Sequence, residues 1–227
     1  MKKSKRTTET IKNVAAKKGF TKFDVFNIGV PEKIRENVDL KSIRTPFIPF
    51  GEDNLFPQFL AEVKRQSPTH RAILGQKKIL SMGKNFFSTN PAVEEFIKDV
   101  NQGESMREVY GRIIDDYYSF GNAYMQIVKH EGGINLFHID ATKCRISKDQ
   151  KHIYIHPDWA KYGSSKQDSV IVPVYPEFEN NTSILQFKDY EATFNYYGLP
   201  DFVAALEWLA IDWELQNYNH TKFKNNF

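Results

Sequence analysis

Residues 1–18 lack apolar periodicity and 19–50 read as extended or looping chain; from residue 56 apolar positions recur at helical spacing, from 123 to 187 they alternate like strands, and after 200 helical spacing returns. Phe56, Phe59, Leu60 and Val63 make one face of a helix beginning near Pro57. Ser67-Pro68 then supplies an N-cap and a proline at the first helical position. The helix from Pro68 is expected to bury Ala72, Ile73, Ile79 and Leu80 and to stop at Gly83. Asn90-Pro91 repeats the start signal, with Glu94 and Glu95 near the positive end of the helix dipole. Ser105 and Glu108 have the spacing of a capping box. They open a helix whose apolar side is Met106, Val109, Tyr110, Ile113, Tyr117 and Phe120, and Gly121 ends it.

From Ala123 the period changes to two. Residues 123–129 and 134–139 read as paired strands joined by a turn at His130-Glu131-Gly132-Gly133. Shorter strands are predicted at 153–156, 170–174 and 184–187, with a polar loop over 157–169. Gly198-Leu199-Pro200-Asp201 punctuates the chain, and a helix is predicted from Pro200 to Phe223, about 35 Å at 1.5 Å per residue. Phe202, Leu206, Leu209 and Trp213 form one line on it, and Ala205, Trp208, Ile211, Leu215 and Tyr218 widen that line. A helix lying on a monomer surface needs an apolar arc of only about 100°. This one needs cover on more than one side, from the earlier layers of the chain, from a neighbouring chain, or from sequence that a fragment would lack.

Composition fits this α+β reading. The 227 residues are 41% hydrophobic and 26% charged, which excludes a mostly disordered or collagenous chain and suits one large domain or two small ones. The division expected is a flexible basic arm over 1–18, an α+β region over 19–140, a β-rich module over 141–195 and the long helix over 196–227. The formal charge of +3 is unevenly placed: residues 1–18 hold seven basic residues against Glu9, so the rest is slightly acidic. The basic balance is therefore a property of the arm and does not describe a basic nucleic-acid-binding face. No segment is apolar enough to span a bilayer or to act as a signal peptide, so a cytoplasmic origin is the default expectation. A single cysteine, Cys144, excludes an intrachain disulfide framework and a cysteine-rich zinc site.

Candidate chemistry is sparse. His152 and His156 flank a strand-like stretch that would hold them about 13 Å apart, too far to share an ion. His138 and Asp140 fall on one strand face, the one arrangement that suggests a hydrolase. Asp115-Asp116 reads as a solvated helix face. Cys144 reads as an inert core residue. No enzyme, cofactor or metal site is expected. Lys222, Phe223 and Lys224 near Trp213 and Tyr218 allow a stacking platform for single-stranded nucleic acid, or simple packing with a helix terminus suited to positive charge. Lys2, Lys3, Lys5 and Arg6 are the candidate phosphate contacts.

Three stretches, in order, resemble the portal proteins of tailed bacteriophages, particularly portals of phages infecting Bacteroidetes-like hosts. The first runs from Phe50 to Pro57 (Phe-Gly-Glu-Asp-Asn-Leu-Phe-Pro) and leads into the Ser67 helix start and the stop at Met82-Gly83. The second is Tyr118 to Tyr124, ending in Gly-Asn-Ala-Tyr, and the third is Tyr197 to Phe202, leading into the long helix and Asn225-Asn226-Phe227. The resemblance covers about residues 45–227. It implies a homo-oligomeric ring, usually of twelve subunits, at one capsid vertex of the virion, assembled in the host cytoplasm. Double-stranded DNA would be packaged and ejected through it without sequence specificity. Implied partners are the packaging terminase, neck or adaptor proteins, and capsid and scaffolding proteins, with no membrane. By the same likeness, residues 19–140 are wing-like, 141–195 clip-like and 196–227 stem-like, with oligomer contacts through Trp208, Ile211 and Leu215. Portals continue with a tunnel loop and further wing and crown, so the chain is expected to be a fragment, a truncated gene or a domain. The alternative is a phage-encoded, non-enzymatic nucleic-acid-binding module using the arm and the C-terminal aromatics.

Overall fold

The computed structural model describes residues 44–163 and 169–224. The expected arm, with Lys2, Lys3, Lys5 and Arg6, lies outside the described residues. Among the described residues, four helices come first: α1 (Phe56–Gln66), α2 (Pro68–Met82), α3 (Pro91–Lys98) and α4 (Met106–Phe120). Strands β1 (Asn122–His130), β2 (Gly133–Ile139), β3 (Cys144–Ile146), β4 (His152–Ile155), β5 (Val170–Pro173) and β6 (Thr182–Lys188) follow, and α5 (Leu206–Lys224) is last.

The helix starts form as their side chains dictate. Ser67 Oγ accepts from the His70 amide at 3.3 Å, and Asn90 Oδ1 accepts from the Ala92 amide at 3.0 Å. The capping box is reciprocal: Ser105 Oγ accepts from the Glu108 amide at 3.3 Å and Glu108 Oε2 accepts from the Ser105 amide at 2.8 Å. The strands make two antiparallel sheets, ordered β2-β1-β6 and β3-β4-β5. The β1–β2 hairpin closes with His130 opposite Gly133, and β6 pairs antiparallel with the other edge of β1, Asn122 opposite Lys188.

The pleat of the first sheet divides the core. Ala123, Ile127 and Leu136 face α4 and meet Val109 and Ile113. Tyr124 and Ile184 point to the other side and meet Ile48, Phe50, Phe56, Leu60, Ile146, Ile153, Tyr197 and Leu206. Short β3 was not legible in the sequence. Its neighbour across the sheet edge is residue 47, which bridges to Ser147, while the Ile48 amide donates to the Ile146 carbonyl at 2.8 Å.

Two expected burial patterns need correction. Helix α2 forms over the expected span, but Ala72, Ile73, Ile79 and Leu80 are exposed and His70 and Leu74 are buried instead. The helix has apolar residues on both sides, and the packing of α4 and α1 selected the other side. Asp115-Asp116 is not a solvated pair. Asp115 bonds Lys64 Nζ at 2.8 Å, and Asp116 is buried. The step of about 100° between consecutive helical residues is enough to carry them to different environments.

Candidate oligomer interface

The stretches that carry the portal resemblance meet in space. At the corner between α4 and β1, Gly121 adopts φ +66°, and its carbonyl accepts from the Asp189 amide at 2.8 Å. Asn122 is buried there and holds the Gly198 peptide at both ends: Oδ1 accepts from the Gly198 amide at 2.9 Å and Nδ2 donates to the Gly198 carbonyl at 2.8 Å. The two backbones are so close that a Cβ on Gly198 would lie 2.3 Å from the Gly121 oxygen, and one on Gly121 would lie 2.4 Å from the Leu199 carbonyl carbon. Next to this crossing, the Tyr197 ring stacks on Phe50 with centroids 4.2 Å apart. The Tyr197 hydroxyl donates to the Ile48 carbonyl at 2.5 Å and accepts from the Ile146 amide at 3.1 Å. Phe50, Asn122 and Gly198, far apart in sequence, thus form one anchor from which the last helix departs.

That helix starts later than expected. Asp201–Ala205 is a 3-10 turn, and α5 proper begins at Leu206. Phe202 packs edge-on against the His70 ring at 4.2 Å, Asp201 pairs with Lys77, and Ser67 Oγ donates to Asp212 Oδ2 at 3.2 Å. Leu206 is buried and Leu209 packs partly against the core. From Glu214 to Lys224 every residue is exposed, so the helix projects beyond the body.

The broad apolar circumference resolves into two stripes. The inner one is Leu206, Leu209 and Trp213. The outer one is Trp208 (72% exposed), Ile211 (49%), Leu215 (56%) and Tyr218 (59%). At 100° per residue the two stripes point roughly 170° apart. The residues follow one another at spacings of three and four, the spacing of a seam between helices. Within the described chain, nothing covers this outer face deeply enough to bury any of its four residues. Trp208, Ile211 and Leu215, the expected oligomer contacts, are thus exposed in the single chain, whereas Trp213 lies on the inner, half-buried side.

Of the other candidates, His138 and Asp140 are not brought together. His138 projects from the α4-facing side of the sheet, and its Nε2 lies 2.7 Å from Asp116 Oδ2, not on Asp140. The same Asp116 oxygen accepts from the Ala141 amide at 3.0 Å, and burial raises the Asp116 carboxyl above its usual range. Asp140 lies past the end of β2 and caps the next turn by accepting from the Thr142 amide. This closed arrangement ties α4 to the hairpin. Cys144 is buried, and burial pushes its thiol pKa well up. No group of three or more His, Cys, Asp or Glu capable of holding a metal occurs among the described residues. No described helix is long and apolar enough to cross a membrane. Lys222 Nζ sits 5.5 Å from the Tyr218 ring centroid, so these two form a small exposed cation–aromatic pair.

One structural residue escaped sequence reasoning altogether. Arg145 is buried within the apolar pattern of β3, with its donors on Asn54, Gln58, Thr142 and Cys144 and its guanidinium 5.0 Å from the Trp159 ring. Local sequence carries no signal for it, because three of its five acceptors, two on Asn54 and one on Gln58, are oxygens brought in by the fold.

No protein-family model and no curated protein matches the chain. Its fold is nevertheless shared with solved chains of phage-like particles. A chain in the neck of an empty gene transfer agent particle, computed with C6 symmetry, matches with a TM-score of 0.59 and 12% identity. That match covers 75% of this chain and 47% of the other. A chain of the native gene transfer agent virion matches at 0.59 and 14% identity over 75% and 46%. A chain in the native particle's neck, computed with C12 symmetry, matches at 0.57 and 13% over 74% and 46%. The chain spans about half the length of these structures. Identities this low make the likeness one of fold: an α+β chain built like a component of a phage-like neck.

Proposed function

We propose that this chain is a phage portal protein, the head–tail connector, or part of one. It forms a homo-oligomeric ring at a capsid vertex through which double-stranded DNA is packaged and ejected. The observation that carries this reading is the fold shared with neck chains of gene transfer agent particles over three quarters of the chain. The outer stripe of α5 supports it independently. A helix apolar on two opposite faces, docked on one only, has a second face suited to a neighbouring copy. The slightly acidic body also suits a conduit, because a strongly basic wall would hold DNA by counterion release rather than let it pass. The role is structural and non-enzymatic. Its partners are its own copies, the packaging terminase, neck or adaptor proteins, and the capsid and scaffold, and its place is the virion.

Native mass spectrometry with negative-stain microscopy of the full-length gene product tests this. Closed rings with a central hole are expected, and a monomer would overturn the reading. A second reading, a non-enzymatic nucleic-acid-binding module, draws on the exposed Tyr218–Lys222 pair and exposed Phe223. It predicts salt-sensitive DNA affinity that falls when Lys2, Lys3, Lys5 and Arg6 are replaced.

A further inference from the structure

Helix α2 carries the second uncovered apolar face of the molecule. Ala72, Ile73, Ile79 and Leu80 are exposed on the side away from His70 and Leu74. The face extends over nine residues, about 12 Å along the axis, and the α5 outer stripe extends over eleven, about 15 Å. The two are matched in length and opposite in charge. Helix α2 has Arg71, Lys77 and Lys78 and no acid along its whole length. The first nine residues of α5 have Glu207, Asp212 and Glu214 and no base. Two copies of the same helix would set like charges against each other, whereas α5 against α2 sets acid against base.

We propose that the outer stripe of α5 in one copy seats on the exposed face of α2 in the next copy. Trp208, Ile211 and Leu215 cover Ile73, Ile79 and Leu80, with Glu207 and Glu214 directed toward Arg71 and Lys78. This assignment rests on the ring reading above and specifies its contact. The interface is heterologous: each copy offers α5 on one side and α2 on the other, which generates a closed ring when the rotation between copies closes. The same charge argument disfavours the chain's own first 43 residues as the occupant of α2. They hold eleven basic residues against five acidic ones, and would bring positive charge to a positive helix.

Cysteine cross-linking tests the pairing. Cys144 is buried and is expected to stay silent under native conditions. The double variant Ile73→Cys/Ile211→Cys is expected to give a ladder of covalent oligomers on mild oxidation. Mixing Ile73→Cys with Ile211→Cys is expected to give dimers, and neither single variant alone should cross-link. Glu207→Lys/Glu214→Lys should abolish rings, and adding Arg71→Glu/Lys78→Glu should restore them. Rings that form without the ladder, or Ile211→Cys cross-linking to itself, overturn this pairing and leave the ring reading standing. Protection of Ile73→Cys from maleimide in dissociated monomers would assign the α2 face to the chain's own N-terminal segment and likewise overturn the pairing alone. Wild-type chains that stay monomeric overturn both.

Discussion

Asn122 grips both polar atoms of Gly198, accepting from its amide at 2.9 Å and donating to its carbonyl at 2.8 Å, and so fixes the point from which the last helix leaves the body. The grip lies at the crossing of Gly121 and Gly198, where neither backbone leaves room for a side chain. A small error there would be carried along α5, whose 19 residues extend about 28 Å.

Asn122→Ala removes the grip and leaves two buried backbone groups without partners. The expected cost is about 2 kcal/mol. Gly198→Ala should be worse, because the new Cβ meets backbone oxygen and nitrogen at 2.3 and 2.5 Å and these cannot step aside cheaply. Urea denaturation of the two variants should rank them in that order. Equal stability of Gly198→Ala and wild type would show that the crossing is looser than described.

Arg145 is a charge held inside the protein by neutral oxygens. Burial lowers its pKa from the usual value. Replacing it by methionine leaves the Asn54, Thr142 and Cys144 carbonyls without their donor, at a cost of roughly 3 kcal/mol. Lysine should not rescue, since a single ammonium cannot reproduce a planar fork that serves four residues at once. Denaturation midpoints of Arg145→Met and Arg145→Lys check both statements.

His70 gives the docking of α5 a pH dependence. Its ring is buried against Phe202, Nε2 has no hydrogen-bond partner among the described residues, and burial, with help from nearby Lys64, lowers its pKa below 6.5. The unfolded chain therefore takes up the proton first as pH falls. Stability contributed by neutral His70 is complete above pH 6.5 and is lost as pH drops from there toward the lowered native value. His70→Leu should flatten this part of the stability profile between pH 7.5 and 5. An unchanged slope would assign the effect to another group.

The outer stripe of α5 should separate assembly from folding. Trp208→Ala/Leu215→Ala removes apolar surface that is exposed in the single chain, so monomer stability should stay within about 0.5 kcal/mol of wild type. The same variant should lose the oligomer by mass photometry. A large fall in monomer stability would instead place these residues in an intramolecular contact.

Local chemistry alone determined a good deal. The caps at Ser67, Asn90 and Ser105, the hairpin at 130–133 and the stop at Gly121 were all readable, because each depends on a few neighbouring residues and their hydrogen bonds. The excess apolar circumference of the last helix was also readable, since a 3.6-residue period can be counted without knowing what it packs against. Tertiary structure decided what pattern leaves open. Helix α2 had apolar residues to offer on two sides, and only the positions of α4 and α1 chose Leu74 over Ile73 and Leu80. Asp116 became buried beside His138 and Arg145 became a core residue because oxygens and nitrogens from distant segments arrived to meet them. Periodicity reports that a face must be covered; which neighbour covers it depends on contacts between segments remote in the chain, and those exist only once the chain has folded.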